Sequence, residues 1–181
     1  LYTAEWRGES KGYKLTDKWS GRYLEKCQEL GVKNIHVHKG PTILPLNKDA
    51  FDVADIDDAA TSFPELNFIV EHVGLPRLDD FCWIATQEPN VYGGLAVAMP
   101  FIHTRPGFFA HIISELLYWL GADRLLFGTG YPGQARAAYK RPPLDQEIDL
   151  IRKEIPFFTA EDRLKILGEN ALKLWKFKAT N

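Results

Sequence analysis

The sequence has few of the features that identify most classes of protein at once. Its only two cysteines, Cys27 and Cys82, lie far apart and in no metal-binding spacing. This excludes a disulfide framework and predicts two buried thiols in a reducing compartment, the cytoplasm. No apolar run approaches the ~20 residues that span a bilayer, and the start lacks the pattern of a signal peptide, so no membrane partner is expected. The sequence also has no nucleophile elbow and no phosphate-binding loop.

An excess of charge of one sign is also missing, because 22 Lys and Arg nearly balance 24 Asp and Glu, leaving a net charge of −2. Without a basic stripe, no nucleic-acid partner is expected. The 181 residues, of which 45% are hydrophobic, fit one globular domain with a sizeable core. Residues 1–6 lack a starting Met and look like the middle of a strand. We therefore expect a single domain over residues 1–181 that is incomplete at its N-terminus.

Short β-branched stretches alternate with longer amphipathic stretches along the chain. The stretches that predict strands are residues 34–38, 67–72, 91–97 and 124–128, with residues 1–6 as a fifth candidate. Those that predict helices are residues 16–30, 50–61, 78–86, 108–120, 144–153 and 160–175. Strands that alternate with helices across short Gly and Pro turns indicate βα units and a parallel sheet.

Histidines stand at the ends of two of these predicted strands. His36 and His38 are two residues apart and so point to one side of the first strand, whereas Glu71 and His72 point to opposite sides of the second. Active residues of parallel α/β folds gather at the C-terminal ends of strands, and imidazole is the commonest zinc ligand. The spacing therefore indicates two histidines converging on one ion. The alternative is that each histidine is a hydrogen-bonded polar group at a strand end.

Two further residues follow the third predicted strand and are candidates for the mouth of a substrate pocket. They are His103 and Arg105, of which Arg105 could pair with a substrate carboxylate; the alternative for this arginine is an ordinary surface charge. His111 falls within an apolar helix and is interpreted as structural. Three tryptophans on predicted helices are interpreted as outer packing or interface residues: Trp83, Trp119 and Trp175.

Four motifs occur in an order that resembles a known family. They are IHVHKG at residues 35–40, IVEHVG at 69–74, LFGTGYP at 126–132 and GENALKL at 168–174. Together they resemble the amidohydrolase-related group, which includes aminocarboxymuconate semialdehyde decarboxylase, resorcylate-type decarboxylases and hydrolases of lactones or amides. The resemblance implies an α/β fold, namely about the C-terminal half (strands five to eight with their helices) of a TIM-type (β/α) barrel. It also implies a divalent metal, with zinc first and iron or manganese as alternatives.

The resemblance also assigns roles to individual residues. His38 matches the metal ligand of strand five, with His36 as the alternative, and His72 matches the strand-six ligand, which also serves catalysis. The aspartate that ends the eighth strand of the family falls at Gly130, which has no side chain to bind a metal or move a proton. No counterpart of the first-strand His-x-His pair precedes these motifs.

The function that the resemblance implies is a metal-dependent hydrolase or decarboxylase of a small carboxylate, amide or lactone, impaired by Gly130. One alternative is a non-catalytic or degenerate barrel subunit that serves assembly, and another is a plain α/β domain with an unrelated ligand. Four or five strands cannot close an eight-stranded barrel. We therefore expect, besides a small-molecule substrate, a second copy or a complementary barrel half as partner; a stable monomer in sedimentation at micromolar concentration would contradict this.

Overall fold

The computed structural model describes residues 1, 3, 6–7, 10–40, 47–99, 101–128 and 159–176. The chain forms two compact units, residues 1–93 and residues 94–181. The predicted helix at residues 144–153, Gly130 and the rest of the loop at 130–143 lie outside the described residues. No helix within the described ranges is long and apolar enough to cross a bilayer.

The first unit alternates strands with helices, as the sequence predicts. In chain order its elements are β1 (Trp6–Arg7), β2 (Ser10–Lys11), α1 (Lys18–Glu29), β3 (Asn34–His38), α2 (Lys48–Phe51), α3 (Asp55–Ser62), β4 (Asn67–Glu71), a 3₁₀ turn (His72–Gly74), α4 (Leu78–Gln87) and β5 (Val91–Gly94), whose last residue begins the second unit. The predicted helix at residues 50–61 is in fact two helices. β1 and β2 pair antiparallel. Among the described residues of the candidate strand at 1–6, Leu1 bonds to β3, where its carbonyl accepts from His38 N–H at 2.9 Å.

β3 and β4 run parallel, with Asn34 opposite Asn67 and His38 opposite Glu71. On the other side of β4, Phe68 N–H donates to the carbonyl of Asn90, directly before β5, at 2.8 Å. Three consecutive residues of β4, Phe68 to Val70, are fully buried. A parallel strand covered on both faces is apolar throughout rather than alternating, and each such side chain contributes about 1.5–3 kcal/mol by leaving water.

The buried face of α1 differs from the one that the sequence pattern predicts. The pattern predicts a single apolar face formed by Trp19, Tyr23, Leu24, Cys27 and Leu30. In the structure Ser20, Leu24 and Cys27 are buried, whereas Trp19 is 75% and Leu30 69% exposed. The buried stripe follows the i, i+4, i+7 spacing of a helix, and it includes a serine because Ser20 Oγ donates to the carbonyl of Lys14 at 2.6 Å.

A glycine in the first turn of α1 offers a simple stability prediction. A Cβ added at Gly21 meets nothing within 4 Å, and the residue lies inside a helix. Because alanine has less backbone freedom to lose on folding, Gly21→Ala is expected to raise the free energy of unfolding by about 0.5–1 kcal/mol. Urea denaturation of the two proteins measures this difference, and a destabilised variant would contradict the open surroundings of Gly21.

The second unit is mostly helical in the described residues. Its elements are α5 (Phe101–Thr104), α6 (Pro106–Leu120), a 3₁₀ turn (Ala122–Arg124), β6 (Leu125–Leu126), α7 (Ala160–Leu164), a π-helical turn (Lys165–Glu169) and α8 (Asn170–Trp175). Leu95 N–H, directly after β5, donates to the carbonyl of Leu126 at 2.9 Å. The buried Asn170 side chain donates to the carbonyls of Ala122 and Leu125 at 2.7 and 2.8 Å, which holds α8 beside β6.

Three predictions about the second unit need correction. The strands predicted at residues 91–97 and 124–128 are shorter than expected, because the chain leaves β5 at Gly94 and turns. His103, predicted in a loop, lies in α5, and His111 is exposed on α6 rather than structural. At the start of α7, Asp162 forms a capping box with Thr159, while Lys165 pairs with Glu161 and Asp123.

Candidate metal centre

The first histidine of the candidate site lies at the carboxyl end of β3. The β-branched residues Ile35 and Val37 point to the covered face of this strand and are buried. His36 and His38 therefore share the opposite face, as the spacing predicts. His38 N–H and C=O are both engaged, because Leu1 O accepts from His38 N–H at 2.9 Å and Thr3 Oγ1 donates to His38 O at 3.1 Å.

The second histidine follows β4 in a left-handed turn. His72, Val73 and Gly74 have φ angles of 67°, 47° and 67°, a conformation that is unfavourable for non-glycine residues and most of all for a β-branched valine. The turn interrupts the alternation of side chains along β4. His72 therefore does not point away from the His36 and His38 face, as a regular strand would place it, but turns towards His38.

The two imidazoles meet edge to face. His38 Nδ1 lies 3.2 Å from His72 Nε2, and the ring planes are 82° apart with centroids separated by 4.7 Å. His72 is 7% exposed. Its ring is backed by Gly40, where an added Cβ would come within 3.2 Å of His72 Cβ and 3.0 Å of Leu75 O, so the chain after β3 packs directly on the histidine.

This pair of nitrogens fits a metal ion in spacing and in chemistry. Two imidazole nitrogens bound at 2.0–2.1 Å to one tetrahedral zinc lie roughly 3.3 Å apart, close to the 3.2 Å between His38 Nδ1 and His72 Nε2. A catalytic zinc takes three protein ligands. No group of three or more His, Cys, Asp or Glu residues that could hold a metal occurs among the described residues. The pair therefore has the spacing of two ligands of one ion, without a third ligand among the described residues.

Glu71 lies on the same face of the sheet as His38 and His72. Strand alternation predicts instead that Glu71 and His72 point to opposite sides. Glu71 is opposite His38 in the register of β3 and β4, and its Oε1 is 2.5 Å from His36 Nδ1. Burial disfavours the Glu71 anion, but the hydrogen bond and charge of His36, with the charges of His72 and His38, outweigh burial and hold the pKa of Glu71 below its usual value. The parallel register was the signal that could have placed Glu71 beside His36.

A buried ion pair that the sequence did not indicate lies behind β3. Lys39, the residue after His38, is fully buried, and its Nζ lies 2.8 and 2.9 Å from the two carboxylate oxygens of Asp55. Burial lowers the pKa of Lys39, against the opposing charge of Asp55. It likewise raises the pKa of Asp55, against the charge of Lys39. A lysine in a strand-end motif looks like a surface charge, so only the fold reveals this pair.

The two residues predicted to contact substrate, His103 and Arg105, belong to the second unit. Arg105 is exposed, and its guanidinium carbon lies 4.3 Å from the centroid of the Phe108 ring, a cation–π contact. His103 is placed only through its backbone, in α5. Of the tryptophans, Trp83 is exposed on α4, and Trp119 is part-buried and donates to Glu115 at 3.1 Å. The structure thus brings His38 and His72 together within the first unit, and the substrate roles of His103 and Arg105 stay predictions.

Parallel strands alternating with helices, with histidines at the carboxyl ends of neighbouring strands, define a parallel α/β protein whose candidate site lies at the strand ends. The sequence model described as amidohydrolase matches residues 1–177. The chain belongs to the amidohydrolase family. No curated protein sequence matches it.

Solved structures agree with this fold. An uncharacterised TIM-barrel protein from Bordetella bronchiseptica is 22% identical, with a TM-score of 0.69 over 92% of this chain and 53% of its own. A zinc-bound amidohydrolase from Burkholderia multivorans is 16% identical, with a TM-score of 0.65 over 97% and 68%. The 2,6-dihydroxybenzoate decarboxylase from Rhizobium is 18% identical, with a TM-score of 0.62 over 95% and 59%. The chain spans about half the length of the Bordetella barrel, which confirms the expected partial TIM-type barrel.

Proposed function

We propose that this chain is part of a metal-dependent hydrolase or decarboxylase that acts on a small carboxylate, amide or lactone. The observation that carries the proposal is the 3.2 Å separation of His38 Nδ1 and His72 Nε2 at the carboxyl ends of two neighbouring parallel strands. The active sites of TIM-type barrels lie at this end of their parallel strands.

In this proposal His38 and His72 hold a divalent cation, zinc first and iron or manganese as alternatives. Such an ion supplies Lewis acidity towards a carbonyl or carboxylate oxygen of the substrate. His72, buried and backed by Gly40, has little freedom to rotate, so it presents Nε2 in one direction. In this proposal the remaining ligands come from a second copy or a complementary barrel half.

The similar structures support both the metal and the reaction class. The Burkholderia structure contains zinc, and the Rhizobium protein is named as a decarboxylase of 2,6-dihydroxybenzoate. Both are similar to this chain in fold. They make a small aromatic carboxylate a reasonable first substrate to test.

A second candidate function is a non-catalytic barrel subunit. The observation that favours it is Gly130, at the position where the family resemblance expects an aspartate. A glycine can neither bind a cation through a side chain nor move a proton, so catalysis would need a base from elsewhere.

Metal content separates the two functions. If the proposal is right, the purified protein takes up zinc or cobalt in a 1:1 ratio, and bound Co²⁺ develops visible absorption typical of low coordination number. The measurement is a titration followed by metal analysis after gel filtration, together with turnover of 2,6-dihydroxybenzoate and of a simple lactone. Absence of any bound metal would contradict the enzyme proposal, and bound metal without turnover would favour the non-catalytic subunit.

A further inference from the structure

The residue after the candidate ligand His38 points to the other side of the strand. Neighbouring residues in an extended chain project in opposite directions, so His38 faces His72 while Lys39 enters the layer of α2 and α3. There the Lys39 ammonium contacts both oxygens of Asp55 and also donates to the carbonyl of Ala50 at 3.1 Å. One side chain thus ties the end of β3 to two helices.

The same polar cluster holds the backbone of His38 itself. The buried Thr3 hydroxyl lies 2.7 Å from the Ala50 carbonyl and 3.1 Å from the His38 carbonyl. Asp55 Oδ2 accepts a bond from Leu15 N–H at 2.7 Å. Asp55 Oδ1 accepts no hydrogen bond from the described residues, although it lies 2.8 Å from Lys39 Nζ. Its charge is therefore balanced by Lys39.

Stability alone is a poor explanation for this pair. Removing a lysine and an aspartate from water costs much of the energy that their attraction returns, and well-packed uncharged replacements of buried ion pairs are often neutral or stabilising. What an ion pair with short, directed contacts does provide is a defined geometry. Here the ion pair fixes the position of Lys39, the residue directly after His38.

We propose that Lys39 and Asp55 are positioning residues that fix the rotation of the end of β3, so that His38 Nδ1 faces His72 Nε2. The inference rests on the proposed metal site for its functional meaning. Because Gly40 packs on His72 directly after Lys39, a rotation at Lys39 would move His38 and the support of His72 together. Metal sites require ligands held within about 0.5 Å, and loss of residues that orient ligands typically costs 10–100-fold in metal affinity.

The test is the double variant Lys39→Met/Asp55→Asn, which removes both charges together and keeps an acceptor for Leu15 N–H. We expect an unfolding midpoint close to that of the original protein but zinc affinity at least about 10-fold weaker by calorimetry. We also expect the nuclear Overhauser contact between the His38 and His72 rings in metal-free protein to be lost. Unchanged affinity and an unchanged ring contact would overturn the proposal.

Two more variants make the result decisive. Asn90→Ala removes another buried polar cluster, in which Asn90 donates to the carbonyls of Ala60, Phe63 and Leu66, at the amino end of β5; it should destabilise the fold without changing zinc affinity or the ring contact. If the double variant does not fold, Asp55→Asn alone removes the charge that holds Lys39 and keeps an acceptor for Leu15 N–H. Weaker zinc binding in Asp55→Asn supports the proposal, and unchanged binding overturns it.

The ring contact also separates this inference from the proposed function. If the original protein binds no zinc but shows the contact between the His38 and His72 rings, and the double variant loses it, the proposed function fails while the positioning role stands. If the protein binds zinc and the double variant binds it equally well, the positioning role fails while the proposed function stands.

Discussion

Replacing His72 by alanine is expected to weaken zinc binding by more than about 100-fold, because the site then loses one of the two ligands proposed for it. The loss should exceed the 10–100-fold typical of residues that only orient a ligand. His38→Ala should have an effect of the same size, since the two nitrogens lie 3.2 Å apart and would share one ion. Competition titration with a coloured chelator measures both affinities.

A histidine elsewhere in the chain provides the matched control. His111 is exposed on α6 in the second unit, so His111→Ala removes an imidazole without touching the pair. Its zinc affinity should equal that of the unchanged protein. If His72→Ala binds zinc as tightly as His111→Ala does, the pair is hydrogen-bonded structure rather than a metal site.

Replacing Gly74 by alanine is expected to lower the free energy of unfolding by about 3 kcal/mol or more, combining a forced backbone with an overpacked core. Gly74 has a φ of +67°, and an added Cβ would overlap Val53 Cγ1 and come within 3.0 Å of Phe81 Cβ. Neither neighbour can move easily, because Val53 is fully buried and Phe81 is 1% exposed. Urea denaturation monitored by fluorescence measures the loss.

Gly31 separates the two contributions to that effect. Its φ of +71° is nearly the same, but an added Cβ meets nothing within 4 Å. Gly31→Ala should therefore cost only the backbone part, about 1 kcal/mol. Equal losses in the two variants would show that the close contacts with Val53 and Phe81 relax, and that the turn holding His72 is less rigid than its packing indicates.

The elements that could be predicted were those in which the residues that look apolar in the sequence are also the residues that are buried in the structure. The strand at residues 34–38 and the helix starting at Leu78 were predicted at or near their observed bounds, because a β-branched run before Gly40 and an apolar helical period after Pro76 each have a clear local reason. The buried face of α1 was predicted only in part: Leu24 and Cys27 are buried as expected, whereas Trp19 and Leu30 fit the apolar period but are exposed. Periodicity shows which residues share a side, not how wide a stripe the neighbouring elements cover.

The candidate site was predictable only in part for a related reason. The rule that strand ends carry the chemistry selected the histidines at the ends of β3 and β4, and the family resemblance chose His38 over His36. It could not place Glu71 beside His36, nor indicate that Lys39 is buried on Asp55. Those contacts depend on the parallel register and on helices that are distant in the sequence.

By itself, the sequence determined the family, the alternation of strands and helices, and the two histidines at neighbouring strand ends, because these depend on residue type and local spacing. Only the tertiary structure decided that the imidazoles face each other. A regular strand would direct His72 away from His38, and the left-handed turn at residues 72–74 reverses that direction. Such a turn is unfavourable for an isolated chain, so it is the packing of Gly74 on Val53 and Phe81 and of Gly40 on His72 that maintains it.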